Sequence, residues 1–328
     1  TQQSRHPIVI ANTGVGRSAL ATLTIGDNNT AIGSGALMNV VSGSDNTAVG
    51  MDALVSCSTG SQNTALGSGA LAALTTGSNI TAVGYNALSG VTTGGNNTTL
   101  GSNVLAANST GSNNVAIGVD VIPNLDPSEN NIGIGNNILT AAGAGSDNNI
   151  LMGNDLLTSN ADLPHEENVM LAHRGPVKGK RSVVMGVGAG EDFGTNGVFE
   201  DNIIIGYEAG SNGATASASL TEHLIIGVRA GRDAYNGFGF GFRNTFIGFE
   251  AGMLSALNND IIAIGHQAMR NASTSGLNNS IAIGNDAMIN AGTSNDNCIA
   301  IGTRTLPGGA GTNNVAIGYE SMTNNTAS

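Results

Sequence analysis

Tryptophan is absent from this chain, and Phe and Tyr together make up only 3% of its 328 residues. So few large rings argue for a narrow core rather than a broad globular one. Charged residues are also scarce, at 10%. That low charge, with regular apolar content, excludes ordinary disorder. Basic residues are outnumbered 11 to 23, giving a net charge of −12 and a pI near 4.6. A nucleic-acid partner is excluded on that ground, because phosphate binding needs a basic face. No segment approaches the roughly 20 consecutive apolar residues of a membrane span, so no membrane insertion is expected. The opening stretch TQQSRHPIVIANTG lacks both Met and the apolar run of a signal peptide, and the chain is read as a processed form or a fragment. The two cysteines, Cys57 and Cys298, are too far apart in the repeat count for the roughly 7 Å reach of a disulfide. They are expected to be small buried or half-buried thiols.

What the chain does have is glycine, 49 residues of it, set in a repeat. The glycines that close TGVG, NTAIG, NTAVG, NTALG, TAVG, TTLG, VAIG and IGIG fall at Gly16, Gly33, Gly50, Gly67, Gly84, Gly101, Gly118 and Gly135, each 17 residues after the last. The phrase continues at Gly153, at Ala172 in place of glycine, and at Gly186, Gly206, Gly227, Gly248, Gly265, Gly284, Gly302 and Gly318, eighteen anchors in all. Units this short bury an apolar face only by stacking on their neighbours. The expected fold is therefore all-β, a parallel β-solenoid of about eighteen short coils. The expected divisions are an extension over 1–12, a regular array over 13–135, an irregular one over 136–252, a second regular array over 253–322 and a tail over 323–328.

Within a coil, the third and first residues before the anchor are branched or polar, as in Thr30 and Ile32 or Val115 and Ile117, and the residue between them is small. Such period-two alternation predicts a short strand with two unlike faces. The small residues are Ala31, Ala48, Ala65, Ala82, Ala116, Ala282, Ala300 and Ala316. A coil of 17 residues encloses little volume, so this alanine face is expected to pack against sister chains, with three chains about an axis. A second apolar pair, such as Ala36 and Leu37, is expected to begin the coil's other side, and Gly- and Asn-rich clusters to form the turns. Four residues before their anchors stand Asn29, Asn46, Asn63, Asn97, Asn114, Asn131, Asn149, Asn168, Asn202, Asn244 and Asn314. In a parallel stack these become a ladder, each amide bonding the next coil.

The register loosens between Gly135 and Gly252, with anchor spacings of 18, 19, 14, 20, 21 and 21. The Ala–Leu pair becomes Ala–Gly at Ala189, Ala209, Ala230 and Ala251, and the small position becomes Leu151, Met170, Val184, Ile204, Ile225 and Phe246. Most of the aromatics and seven of the eleven basic residues lie in this zone. Breaks in a repeat are where function tends to sit. The residues expected to meet a cell-surface glycan or another partner are Phe238, Phe240, Phe242, Arg229, Arg232 and Arg243; the competing expectation is that the large residues simply fill a wider coil.

Sites for chemistry are thin. The acidic neighbours Glu166–Glu167, Glu191–Asp192 and Glu200–Asp201 are the best candidates for paired glycosidase carboxylates, yet adjacent strand residues point to opposite faces. His6, His165, His173, His223 and His266 lack metal-ligand spacing. The Asn-rich turns holding Asp45, Asp147 and Asp296 lack the Gly-Gly-x-Gly-x-Asp phrase of a calcium roll. No metal, cofactor or enzymatic activity is expected.

The phrases NNTAIGSGAL, NTAVGMDAL, NTALGSGAL, TAVGYNAL and NNVAIGYESM resemble the head repeats of trimeric autotransporter adhesins, and more closely the NTAVG-x-x-AL arrays of phage and viral tail fibres. The resemblance implies a left-handed parallel roll, three chains per fibre, and an adhesive or structural role outside the cell, on a cell surface or a virion. The chain differs from those proteins in its longer unit and in carrying no heptad stalk, membrane-anchor barrel or chaperone segment in this sequence. The expected function is a fibre that assembles with copies of itself for surface attachment. Alternatives are a filament subunit joined head to tail through uncapped end coils, a tailspike-like glycan hydrolase, and an ice-binding solenoid displaying the column Thr30, Thr47, Thr64, Thr81 and Thr98.

Overall fold

A computed structural model describes residues 11–107, 109–122, 129–139, 146–157, 165–174, 179–191, 199–211, 220–233, 242–254, 259–272, 277–291, 296–307 and 311–323. Among these there is no helix. Eighteen strands, one at each anchor, run parallel in a single sheet order and make a β-solenoid; two more, Phe199–Glu200 and Leu220–Thr221, pair with each other. The chain forms two compact units, Thr1–Met152 with Thr158–Glu166, and Gly153–Leu157 with Glu167–Ser328. The division falls inside the irregular zone, and each unit is described by itself.

In the first unit the register steps by one repeat throughout, pairing Thr13 with Thr30, Thr30 with Thr47, Thr47 with Thr64 and Thr64 with Thr81. In the second unit the coils differ in length, yet Val183 pairs with Ile203, Ile203 with Leu224 and Leu224 with Thr245. Insertions are taken up between strands because a one-residue slip would turn every inward side chain outward.

The expected second apolar pair is buried, but it sits at a corner rather than on a second strand in most coils. Its second member has a left-handed backbone: φ is 47° at Leu37, 52° at Leu54, 54° at Leu71 and 53° at Leu88. Such a conformation costs a non-glycine residue roughly 1–2 kcal/mol. These leucines are fully buried, which contributes about 1.5–3 kcal/mol each, so burial wins. The leucines hold the corner in place.

The same corner explains the Ala–Gly pairs. Coils with a small strand residue carry a large corner residue, as in Ala48 with Leu54, Ala263 with Met269 and Ala282 with Met288. In the second unit, coils with a large strand residue carry glycine there, as in Ile204 with Gly210, Ile225 with Gly231 and Phe246 with Gly252. The two side chains share one volume: a Cβ on Gly252 would lie 2.7 Å from the Phe246 ring. The zone expected either to bind a partner or to fill a wider coil does the second at Phe246, Ile204 and Ile225, all fully buried.

The asparagine ladder is present in each unit. The amide oxygen of Asn29 accepts the backbone N–H of Asn46 at 3.0 Å, that of Asn46 the N–H of Asn63 at 3.0 Å, and that of Asn114 the N–H of Asn131 at 3.0 Å. The side-chain NH2 crosses the coil instead, donating from Asn46 to the Gly60 carbonyl at 2.9 Å and from Asn63 to that of Gly77 at 3.0 Å. Asn202 and Asn244 serve the second unit, their oxygens accepting from His223 at 3.1 Å and Ile261 at 2.9 Å. Ser182 and Ser280 stand in for asparagine there, with hydroxyl oxygens accepting from Asn202 and Cys298, each at 3.2 Å.

Replacing Asn114 by Leu leaves the buried Asn131 N–H without its acceptor, a penalty of about 1–3 kcal/mol, and removes the amide's own bonds. Asn114→Leu is expected to destabilise the chain by about 3 kcal/mol and Asn114→Ser by about 1. Urea unfolding of the two variants checks this; equal midpoints would refute the ladder's role.

Candidate functional site

Period-two alternation places three kinds of side chain on each strand, and their exposure differs from expectation. Ala31, Ala48, Ala65, Ala82, Ala116, Ala282 and Ala300 are fully buried within their own chain, and Ala316 is 3% exposed. They fill the coil and do not form a face for sister chains. The reason is volume: in these coils the corner leucine or methionine already takes up much of the narrow interior, and a methyl fits beside it. The branched residues therefore point outward. Leu66 is 48% exposed and Leu100 52%, flanked by the exposed Thr47, Thr64, Thr81 and Thr98. Every anchor in both units is preceded by Val, Ile, Leu or Met, so each unit carries an outward apolar column.

A second arrangement lies just after the anchors of the second unit. Backbone N–H groups of Arg229, Glu250 and Gln267 donate to the carbonyls of Tyr207, Val228 and Phe249 at 2.9, 3.0 and 2.8 Å. These bonds align Tyr207, Val228, Phe249 and His266 in one solvent-facing column. The Phe249 and His266 rings stack at 5.3 Å with 11° between planes, and the Arg229 guanidinium lies 5.6 Å from the Phe249 centroid. Beside the column, Arg232 meets Glu208 at 2.7 Å and Asp233 at 3.5 Å. The buried Glu250 carboxylate accepts from Arg229 at 3.2 Å and from Gln267 at 2.9 Å, and pairs with Arg270 at 3.3 Å. Low exposure makes these pairs worth more than surface ones. The Tyr207 hydroxyl is held above its usual pKa, chiefly by its hydrogen bond to Glu208.

Of the expected contact residues, Arg229 and Arg232 thus come together. Arg243 stands in another column, five residues before its anchor, where it forks onto Asp260 at 2.7 and 3.0 Å. Phe242 is half-buried, its N–H bonded to Asn259 Oδ1 at 2.9 Å. Phe238 and Phe240 lie outside the described residues. Tyr207, Phe249 and His266 were missed because they are far apart along the chain; counting positions from each anchor glycine would have lined them up.

Two of the three acidic pairs are engaged by arginines where described. Glu200 and Asp201 both face Arg181, at 3.6 and 2.7 Å, and the Arg181 hydrogen bond holds Asp201 below the usual carboxylate range. A general acid needs the opposite shift. Glu191 meets Arg174 at 3.7 Å, and its neighbour Asp192 lies outside the described residues. Near the last coil an open cleft of about 320 Å³ is lined by Asp286, Ile289, Arg304, Pro307, Glu320 and Thr323. Its one cation, Arg304, is already engaged by Glu320 at 2.7 Å. Cys57 and Cys298 are free and buried; burial pushes the Cys57 thiol up to about 11. Among the described residues no helix is long and apolar enough to cross a membrane, and no group of three His, Cys, Asp or Glu side chains could hold a metal ion.

No protein-family model matches the chain, and no curated protein matches it.

Proposed function

We propose that the chain is a structural, non-catalytic element of a surface-attachment fibre, built by lateral packing of copies of itself. The observation that carries this reading is the outward apolar column. A solenoid has no need to place Val, Ile, Leu or Met beyond its own core at every coil, and extended exposed apolar surfaces mark contact sites. A second copy is the occupant with the same coil rise, so side chains interdigitate along the whole column rather than at one point. Three copies about an axis is the arrangement adopted here, placed outside the cell or on a virion.

The test is mass in solution by light scattering over a concentration series, for the parent chain and for Leu66→Glu combined with Leu100→Glu. Both residues are about half exposed in the single chain, so their replacement changes its own stability by only about 0.5 kcal/mol. The parent is expected at three chains and the double variant at one, with unchanged circular dichroism. A parent that stays monomeric at micromolar concentration would refute the reading. A mass climbing without limit would replace it with a head-to-tail filament.

A further inference from the structure

The ladder of the second unit contains one rung that can change its charge near neutral pH. Of the nine residues that stand four before this unit's anchors, from Asn168 to Asn314, His223 alone gains a charge on acidification. It is 2% exposed. Its own N–H donates to Asn202 Oδ1 at 3.1 Å, and its ring Nδ1 accepts the backbone N–H of Asn244 at 3.3 Å. The ring therefore does what the amide oxygen does in an asparagine rung, and it can do so only while Nδ1 keeps its lone pair. That bond assigns the neutral tautomer with its proton on Nε2. An imidazolium has a proton on both nitrogens and accepts nothing, so a solvent proton added to Nδ1 removes the acceptor and sets two N–H groups against each other.

We propose that His223 is an acid-sensitive rung, whose protonation opens the ladder between Asn202 and Asn244 and loosens the coils on either side. Nothing described inside these coils would compensate the charge. Their interior side chains Ile204, Leu220, Ile225 and Phe246 are apolar and fully buried. The charged groups nearest along the chain stand on the solvent-facing turn: Glu200 and Asp201 with Arg181, and Glu222 and Asp260 with Arg243. Glu208, Arg229, Arg232, Asp233 and Glu250 lie beyond the anchors and pair among themselves. The joining segments 212–219 and 234–241 hold no Asp, Glu, Lys, Arg or His, and 192–198 holds only Asp192, next to Glu191 past the preceding anchor. A buried charge without a partner is strongly disfavoured. The closed coil thus excludes the proton, whereas an opened chain binds it below about pH 6.5. Opening takes up a proton, so protection is full above that pH and is lost as the pH falls through it. At pH 5.0 the opening equilibrium rises by up to about thirtyfold over its value at neutral pH. The inference concerns the inside of one chain and holds however copies pack.

The experiment is hydrogen exchange of the Asn244 amide in the full chain at pH 7.5 and 5.0, read by mass spectrometry and expressed as protection relative to an unstructured amide at the same pH. The parent is expected to lose protection at pH 5.0 by about tenfold or more beyond the loss in His223→Asn, which restores the residue used at Asn202 and Asn244. His223→Ser is the second variant, since Ser182 and Ser280 already serve as rungs through their hydroxyl oxygens, and it carries the test if the asparagine variant does not fold. The buried His165 and every paired carboxylate are unchanged in both variants, so their own response to acid cancels in the comparison. The Asn46 amide, bonded to Asn29 Oδ1 at 3.0 Å in the first unit, should respond alike in all three chains. Equal loss of Asn244 protection in parent and variants would overturn the proposal. So would full Asn244 protection in the parent at pH 5.0, because the ring would then carry its proton, or exclude it, without opening the ladder.

Discussion

Replacing Gly118 by Val is expected to abolish stacking at that coil and to destabilise the first unit by more than about 4 kcal/mol, the range reserved for severe backbone or core damage. Two independent causes add. The backbone at Gly118 has φ of 135°, a region almost closed to residues with a Cβ. A Cβ would also meet the carbonyl oxygen and carbon of Gly135 in the next coil. Those are backbone atoms fixed by the parallel ladder, so no rotamer change relieves the contact. Each coil depends on its neighbours, so the damage spreads to coils on both sides.

Gly69→Asn is the matched comparison. Its φ of 69° lies in the left-handed region that Asn tolerates, and Asn86 and Asn103 occupy the same position in the following coils with φ of 51° and 54°. A change of at most about 1 kcal/mol is expected there. Thermal melting followed by circular dichroism decides it: similar melting temperatures for the two variants would mean that the anchor glycines are compositional habit and not a packing requirement. Ala172, the one anchor that is not glycine, fits the argument, since it is not among the residues with positive φ.

The anchors made the coil count legible because a close approach between backbones can be met by one residue type, and a requirement that strict prints itself on the sequence. The asparagine ladder was legible for a related reason: a buried amide that must serve both the next coil and a turn carbonyl has few substitutes, and Ser182, His223 and Ser280 fill in with the acceptors that remain. The direction of the strand faces was not legible. Alternation fixes that Ala48 and Val49 point opposite ways; which of them points inward depends on the volume left by Leu54, which comes from a corner whose left-handed backbone has no local signature at leucine. The ordinary expectation that larger apolar residues face inward gave the wrong side. The column of Tyr207, Phe249 and His266 was hidden differently, by insertions that shift its members out of constant spacing while the strand register stays fixed.

The exchange between strand and corner residues leads to the second large effect, a double-mutant cycle at Phe246 and Gly252. Phe246 is fully buried, and Phe246→Ala alone should cost about 3–5 kcal/mol through lost burial and a cavity. Gly252→Leu alone should also destabilise, by about 1–3 kcal/mol or more, because its Cβ would start 2.7 Å from two ring carbons of Phe246. The two together recreate the pairing already present in Ala48 with Leu54 and in Ala263 with Met269. The leucine then enters the space the ring vacates, at a φ of 66° close to the left-handed values that leucine adopts at the other corners. The double variant is therefore expected to be more stable than Phe246→Ala alone, with a coupling of about 2–3 kcal/mol. A Cβ on Gly231 would also lie 3.0 Å from the Phe246 ring, so part of the cavity extends toward the preceding coil and recovery stays incomplete. Additive free energies in urea unfolding would show that the two positions do not share a volume, and the physical account of the Ala–Gly coils would fall with them.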